Sequence, residues 1–347
     1  MQRYPLAIAF LAALLFGAAT PASKALLQSL STFQLAGLLY LGAAIGVMPL
    51  MVRERKFAWP WSLDNKTALL LSGAIVLGGV AGPLFLLFGL RLASSASVSL
   101  WLNLELIATV LLGYVMFRDE LNLHGWVAAV GTVAAAVLLS ISEGHAGVQA
   151  GLLIALACFC WGLDNHFTAL ITGLTPAQTT FWKGLVAGIV NLGIGIQLSD
   201  YTASVSLTAT AILVGVFAYG ISLVLYITSA QKLGATRSQI IFSSSPFFGV
   251  ILAVAFLGES ISLAQLAAIL LIVTSLGFLF FERHLHVHRH EATAHEHWHR
   301  HDDGHHDHVF PGMPRGLYHS HWHEHKATKH SHPHWPDPYH RHRHKDE

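Results

Sequence analysis

Charge is what this chain is short of. Asp, Glu, Lys and Arg make up 11% of its 347 residues, and 53% are hydrophobic. Soluble globular domains carry about a quarter charged residues, so the composition excludes an ordinary soluble domain. Cysteine is almost missing as well. Cys158 and Cys160 are the two present. Two positions apart in one apolar segment, they point to different sides of a helix, which predicts neither a disulfide nor a cysteine metal site. The chain has no Gly-rich loop ending in Lys-Ser or Lys-Thr, which argues against direct use of ATP. No pairing of nucleophile and base is recognisable inside the apolar segments, so the sequence reads as a non-enzyme. Nothing in it points to nucleic acid.

What is present falls into two regions of opposite character. Up to Phe281 the chain is almost wholly apolar, with charges confined to short gaps. From Glu282 onward it is polar and saturated with histidine. Only His124, His145 and His166 of the 24 histidines precede that point, so the net charge of +1 describes neither region. The charge of the tail depends on pH, because histidine titrates near neutrality.

A helix that crosses a bilayer needs about 20 apolar residues. Ten candidates run over Tyr4–Leu26, Phe33–Val52, Thr67–Leu90, Ala96–Phe117, Leu123–Ile141, Gly151–Ile171, Gln178–Leu198, Ala209–Ser229, Arg237–Leu257 and Leu263–Phe281. The first resembles a signal peptide, with Arg3, an apolar run and then Ala18-Ala19-Thr20-Pro21-Ala22. It is read as an uncleaved first span because the internal repeat needs it. Lys and Arg mark cytoplasmic gaps. Arg53, Arg55, Lys56, Lys66, Arg118, Lys232 and Arg237 fall on one set of gaps, and little beyond Lys24 and Arg91 on the other. This predicts cytoplasmic N- and C-termini in a multi-pass inner-membrane protein.

The chain repeats itself. Ser97–Asp119 reads SVSLWLNLELIATVLLGYVMFRD and Arg237–Glu259 reads RSQIIFSSSPFFGVILAVAFLGE. Both open on small and polar residues, run through an apolar segment and end at an acid. The continuations also match: Asp119-Glu120-Leu121-Asn122-Leu123 and Glu259-Ser260-Ile261-Ser262-Leu263. Duplicated membrane units build many carriers, and an odd number of helices per unit inverts the second copy. The expected fold is an all-α integral membrane protein of ten spans in two inverted five-helix repeats, residues 1–145 and 146–282, followed by a disordered cytoplasmic tail, 283–347. A homodimer is left open.

Charged side chains near the bilayer centre cost about 2.5–3.5 kcal/mol on insertion scales, so few occur without a use or a partner. Glu105, Asp164 and Lys183 are the candidates. Ser97, Trp101, Glu105 and Ala108, at spacings of four, four and three, share one helix face, and Trp161, Asp164, Asn165 and Thr168 share another. One reading is a central substrate or coupling-ion cavity walled by Trp101 and Trp161. Asn103, Asn165 and Ser243, Ser244 and Ser245 would offer hydrogen bonds to it, and a carboxylate would bind a proton or a cationic group. The other reading is that Asp164 or Glu105 pairs with Lys183 or Arg91 and only locks the bundle. His166 counts as a polar neighbour. The glycine faces Gly42/Gly46, Gly78/Gly82 and Gly184/Gly188 read as helix packing. Pro21, Pro83 and Pro246 can kink their helices. Asp119 and Glu259 at the helix junctions read as caps for the following helix, beside Asn122 and Ser262, which are good N-caps.

At these residues the chain resembles the EamA-type drug/metabolite transporter family. Phe256-Leu257-Gly258-Glu259 matches the family's junction well, and Phe117-Arg118-Asp119 matches with Asp for Glu. Trp161-Gly162 and Phe16-Gly17 are similar to its element at the start of each half. Pro246 matches its mid-helix proline, whereas Leu106 stands at that place in the first half. The resemblance spans Tyr4 to Phe281 and implies a ten-helix secondary exporter of amino acids, other metabolites or toxic compounds.

The tail carries His-x-His strings: His284, His286, His288 and His290; His295, His297, His299 and His301; His305, His306 and His308; His319, His321, His323 and His325. Imidazole suits zinc, copper, nickel and cobalt. No ordered tetrahedral ligand set is spelled out, and the absence of a packable core predicts disorder. No cofactor is required. The sequence reading is therefore a bilayer-embedded exporter of a small organic molecule with a tail that binds divalent metal ions. The rivals are a nickel, cobalt or zinc exporter and a membrane metal sensor that moves nothing.

Overall fold

The structure is a computed structural model. It describes residues 3–52, 54, 59, 63–117, 123–171, 173–233, 241–280, 284–290, 293–299, 319–325 and 328–334. The chain divides into two compact units, Met1–Glu282 with Pro336–Glu347, and Arg283–Trp335.

In the first unit, eight helices among the described residues are long and apolar enough to cross a membrane. They are α1 (Leu6–Leu26), α2 (Thr32–Val52), α3 (Asn65–Leu92), α4 (Ser95–Met116), α5 (Leu123–Ser142), α6 (Gly144–Leu170), α7 (Pro176–Leu198) and α8 (Val205–Ser229). Two shorter apolar helices follow, α9 (Ser245–Leu257) and α10 (Leu263–Phe280). Large apolar side chains such as Leu69, Val115, Phe256 and Leu263 are exposed. Such a surface suits lipid and would be a liability in water. The first unit is that of a multi-pass membrane protein.

Several helices are not regular, and the irregularities recur between the halves. α4 is interrupted by a turn at Leu102–Asn103, and the chain entering α9 by a turn at Ser243–Ser244. α3 winds as a π-helix over Ala74–Ala81, and α8 does so over Gly215–Ile221. These pairs lie at the offset of the sequence repeat. The first-half break arises without a proline, although Leu106 left a kink there in doubt. Pro246 sits in the first turn of α9, where its missing N–H leaves no helical bond unmade.

The contacts follow the same exchange of helix n for helix n+5. α2 packs on α7, α5 on α10 and α4 on α9. The α3–α6 contact has its counterpart in α8–α1, α4–α6 in α9–α1, and α2–α8 in α7–α3. The α2–α7 pair is close because it is lined with glycine. A Cβ on Gly184 would stand 2.7 Å from the Tyr40 carbonyl oxygen. Of the glycine faces read from the sequence, Gly184/Gly188 packs on α2, whereas Gly42/Gly46 packs on α8 and Gly78/Gly82 on α6. Both helices open with the same kind of cap: the Ser31 hydroxyl accepts from the Gln34 N–H at 3.2 Å, and the Thr175 hydroxyl accepts from the Gln178 N–H at 3.2 Å. Each end is then tied across the pair. Gln34 donates to the Ser199 carbonyl at 3.1 Å, and Gln178 donates to Glu54 at 2.7 Å.

In the second unit the described residues form strands where the sequence predicts disorder. β1 (His284–His290) pairs antiparallel with β4 (Thr328–His334), and β2 (Thr293–His299) pairs antiparallel with β3 (His319–His325). The registers set His284, His286 and His288 opposite His334, His332 and His330, and His295, His297 and His299 opposite His323, His321 and His319. A His-x-His string has period two, which is the period of a strand, so backbone pairing can organise it without a hydrophobic core. His301, His305, His306 and His308 lie outside the described residues, as does Asp119.

Candidate functional site

The sequence left Asp164 and Glu105 as equivalent candidates, and the structure separates them. Asp164 on α6 and Lys183 on α7 form an ion pair at 2.7 Å, 5% and 8% exposed. Thr168, one turn on, donates to the other Asp164 oxygen at 3.2 Å. Room for this pair comes from α3, where a side chain at Gly78 would collide with the Asp164 carboxylate. The π-helical stretch of α3 contributes more. A π-turn disturbs the regular bonding of its carbonyls. The Gly78 oxygen accepts from Tyr40 and from the Trp161 indole, the latter at 3.1 Å, and the Gly79 oxygen accepts from Asn191 at 3.2 Å. Two sets of polar contacts therefore lie side by side at Gly78: the Asp164–Lys183 pair between α6 and α7, and the α3 carbonyls held by Tyr40 of α2, Trp161 of α6 and Asn191 of α7.

Glu105 is held differently. It is half-buried, and Asn165 of α6 donates to it at 3.2 Å while also donating to Thr109 at 3.2 Å. His166 bonds the Thr109 carbonyl at 2.9 Å, which keeps it a polar neighbour. Among the described residues no lysine or arginine forms an ion pair with Glu105. Arg91, the other cation considered for it, instead holds Thr32 at 3.0 Å and the Leu30 carbonyl at 2.9 Å.

Glu105 lines a small cleft of about 10 Å³ between the two helix breaks. Asn103 and Glu105 line it from α4, Phe242, Ser243, Ser245 and Pro246 from the α9 side, and Phe16 from α1. Asn103 donates to the Leu100 carbonyl at 3.0 Å, but its side-chain oxygen is buried with no hydrogen-bond partner among the described residues. Aromatic rings crowd around the cleft. The Phe16 ring lies 5.2 Å from Phe242, 5.8 Å from Tyr219 and 6.4 Å from Trp161, and Tyr226 lies 4.8 Å from Phe242.

Two expectations need correction. Trp101 is not a wall of this cleft; its indole donates to the Ala136 carbonyl at 3.1 Å from within the core. The shared face drawn for Ser97, Trp101 and Glu105 assumed an unbroken helix, and the turn at Leu102–Asn103 interrupts it. Ser244 turns its hydroxyl back to the Ile241 carbonyl at 2.7 Å, and the cleft is lined by its neighbours Ser243 and Ser245. Sequence reasoning missed Phe242 as a lining residue. Its signal was available, because Phe242 occupies the place of Leu102 in the repeat.

The junction acid Glu259 does cap a helix, but not the next one. Its carboxylate accepts from the N–H groups of Ser95 and Ala96 at 2.8 and 2.9 Å, at the start of α4 in the other half. The next helix, α10, is capped by Ser262 and Gln265, each accepting from the other's backbone. Lys24 closes the same end, donating to the Leu90 and Ala93 carbonyls at 2.7 and 2.8 Å. Glu143 bonds Ser97 there. Among the described residues no group of three or more His, Cys, Asp or Glu is placed to hold a metal ion.

Comparison with known proteins agrees with this architecture. An uncharacterized transporter of Methanothermobacter thermautotrophicus is 27% identical over 293 residues, covering 78% of this chain and 84% of the relative. A solved crystal structure superposes with a TM-score of 0.59 at 17% identity, over 81% of this chain and 98% of the other, and so shares the fold. The EamA-like transporter family model matches twice, at residues 4–141 and 149–281. Two copies of the family's unit thus account for nearly all of the helical region, and the chain belongs to the EamA-like transporter family.

Proposed function

We propose that this protein is a secondary active exporter of a small organic metabolite or toxic compound. The observation that carries the reading is the cleft between the breaks of α4 and of the segment entering α9. Discontinuous helices facing one another across a repeat interface are how many carriers build a binding site. α1–α5 and α6–α10 would be two inverted halves of a ten-span protein, and rocking of one against the other would expose the cleft to each side in turn. The termini would be cytoplasmic and the membrane an inner membrane. The chain works as a carrier and not as an enzyme.

The histidine tail, on this reading, is a cytoplasmic buffer or regulator that binds zinc, nickel, cobalt or copper. The cargo is organic because the membrane cleft offers one carboxylate, one amide, serines and aromatic rings, a poor set for a transition metal.

The test is solute efflux from vesicles holding the full chain, a version ending at Arg283, or Glu105→Gln. Efflux of an organic solute that survives truncation and is lost in Glu105→Gln supports the reading. Metal efflux that needs both the tail and Glu105 would replace it with a metal exporter. Absence of any solute flux, with metal binding kept, would leave a sensor.

A further inference from the structure

We infer that the cleft at Glu105 is a site for small organic cations, meaning a protonated or quaternary amine carried on an apolar body. The inference deepens the exporter reading and rests on it for its physiological meaning, though not for the binding itself.

Three independent features point to that chemistry. The first is charge. Lys183 is committed to Asp164 at 2.7 Å and Arg91 to Thr32 and Leu30, so among the described residues no cation is paired with Glu105. A carboxylate inside a membrane protein that lacks a fixed counter-charge marks a place for a mobile one. The second is the unused acceptor. The Asn103 side-chain oxygen is buried and has no partner among the described residues, and Asn103 lines the same cleft as Glu105. A buried acceptor left unmade costs about 1–3 kcal/mol, and an ammonium N–H would satisfy it. The third is the lining. Phe16 and Phe242 stand 5.2 Å apart at the cleft, with Tyr219 and Tyr226 behind them. Aromatic faces attract ammonium groups, and aromatic enclosures recur wherever quaternary amines are recognised. An anionic cargo would meet the Glu105 carboxylate and the Asn103 oxygen without a matching donor of positive charge. A neutral cargo would leave the carboxylate unanswered.

The full chain in detergent micelles, titrated at neutral pH with four matched probes, tests this. Phenethylamine is the cation, 2-phenylethanol the neutral analogue, 3-phenylpropionate the anion and phenylalanine the zwitterion. Ligand-induced rise in melting temperature gives the apparent affinities. Phenethylamine should bind at least about tenfold more tightly than 2-phenylethanol, the difference expected when a charged hydrogen bond is added. Glu105→Gln should erase that preference, and Glu105→Asp should keep part of it. Equal binding of amine and alcohol would overturn the inference. So would an amine preference that survives Glu105→Gln, since Glu105 would then serve only as a proton site. The exporter reading fails separately. Vesicles that move phenylalanine or phenylpropionate while the chain ignores the amine keep the carrier and lose the cation site. Amine binding without flux of any solute keeps the cation site and loses the carrier.

Discussion

Two carboxylates a few residues from the middle of neighbouring helices meet opposite fates in this protein. Asp164 is enclosed by α3, paired with Lys183 and bonded by Thr168. Glu105 has an amide for company and faces a cleft. The first is a device for holding helices together and the second a device for meeting something that comes and goes. Residue type does not decide between these roles. What decides is whether a cation of the fold stands within reach and whether space is left open.

The comparison breaks most visibly at the ion pair. Removing one member of a buried pair leaves an uncompensated charge, which costs about 3–5 kcal/mol. Asp164→Ala or Lys183→Ala should each lower unfolding free energy by about that amount in a denaturant titration in detergent, while the double change Asp164→Leu with Lys183→Met should recover most of it. If the single changes were silent, Asp164 would not be the structural member of the two. Glu105→Gln is the converse. Its unfolding curve should stay close to that of the parent, whereas efflux should fall about 10–100-fold, the equivalent of a lost charged hydrogen bond worth about 1.5–3 kcal/mol. A strongly destabilised Glu105→Gln would merge the two roles.

Smaller effects belong to the end of the bundle where the halves are tied. Glu259→Ala removes two bonds to the first N–H groups of α4, and a lost N-terminal cap costs about 0.5–2 kcal/mol. The loss should appear in stability and should leave α10 intact, because Ser262 and Gln265 cap that helix by themselves. Glu143 gives the smallest effect. Burial raises its carboxyl above the ordinary value of 4.5 and Glu259 adds to the rise, against the Ser97 bond and Lys24. The folded protein therefore keeps this proton to higher pH than the unfolded chain does. The resulting stability is complete below the unfolded value and declines as pH climbs from there to the folded value. A melting series across that window should show the decline, and Glu143→Gln should flatten it.

Much of this was legible in the residues. Apolar runs of the right length placed the helices, because a bilayer accepts little else. The repeat of Ser97–Asp119 in Arg237–Glu259 announced the two halves, and the intramembrane charges announced the candidate site. Other features were not legible. Leu106 gave no hint that α4 would break as the segment before α9 does, since the usual signal for a break is proline. With that turn between them, Trp101 bonds the Ala136 carbonyl in the core while Glu105 lines the cleft. In the tail, the His-x-His strings share the period of the paired strands in which their described segments lie.

The sequence by itself determined the class of the protein, the positions of its helices, their duplication and the short roster of polar residues from which a site could be made. These follow from local properties, namely hydropathy, length and repetition. Only the tertiary structure decided that Lys183 reaches Asp164, that among the described residues Glu105 has no ion-pair partner and the buried Asn103 oxygen no hydrogen-bond partner, and that Glu259 caps a helix of the other half. Each of those depends on which helices lie side by side, and in a chain where nearly every helix is apolar around its circumference, sequence alone does not fix the neighbours.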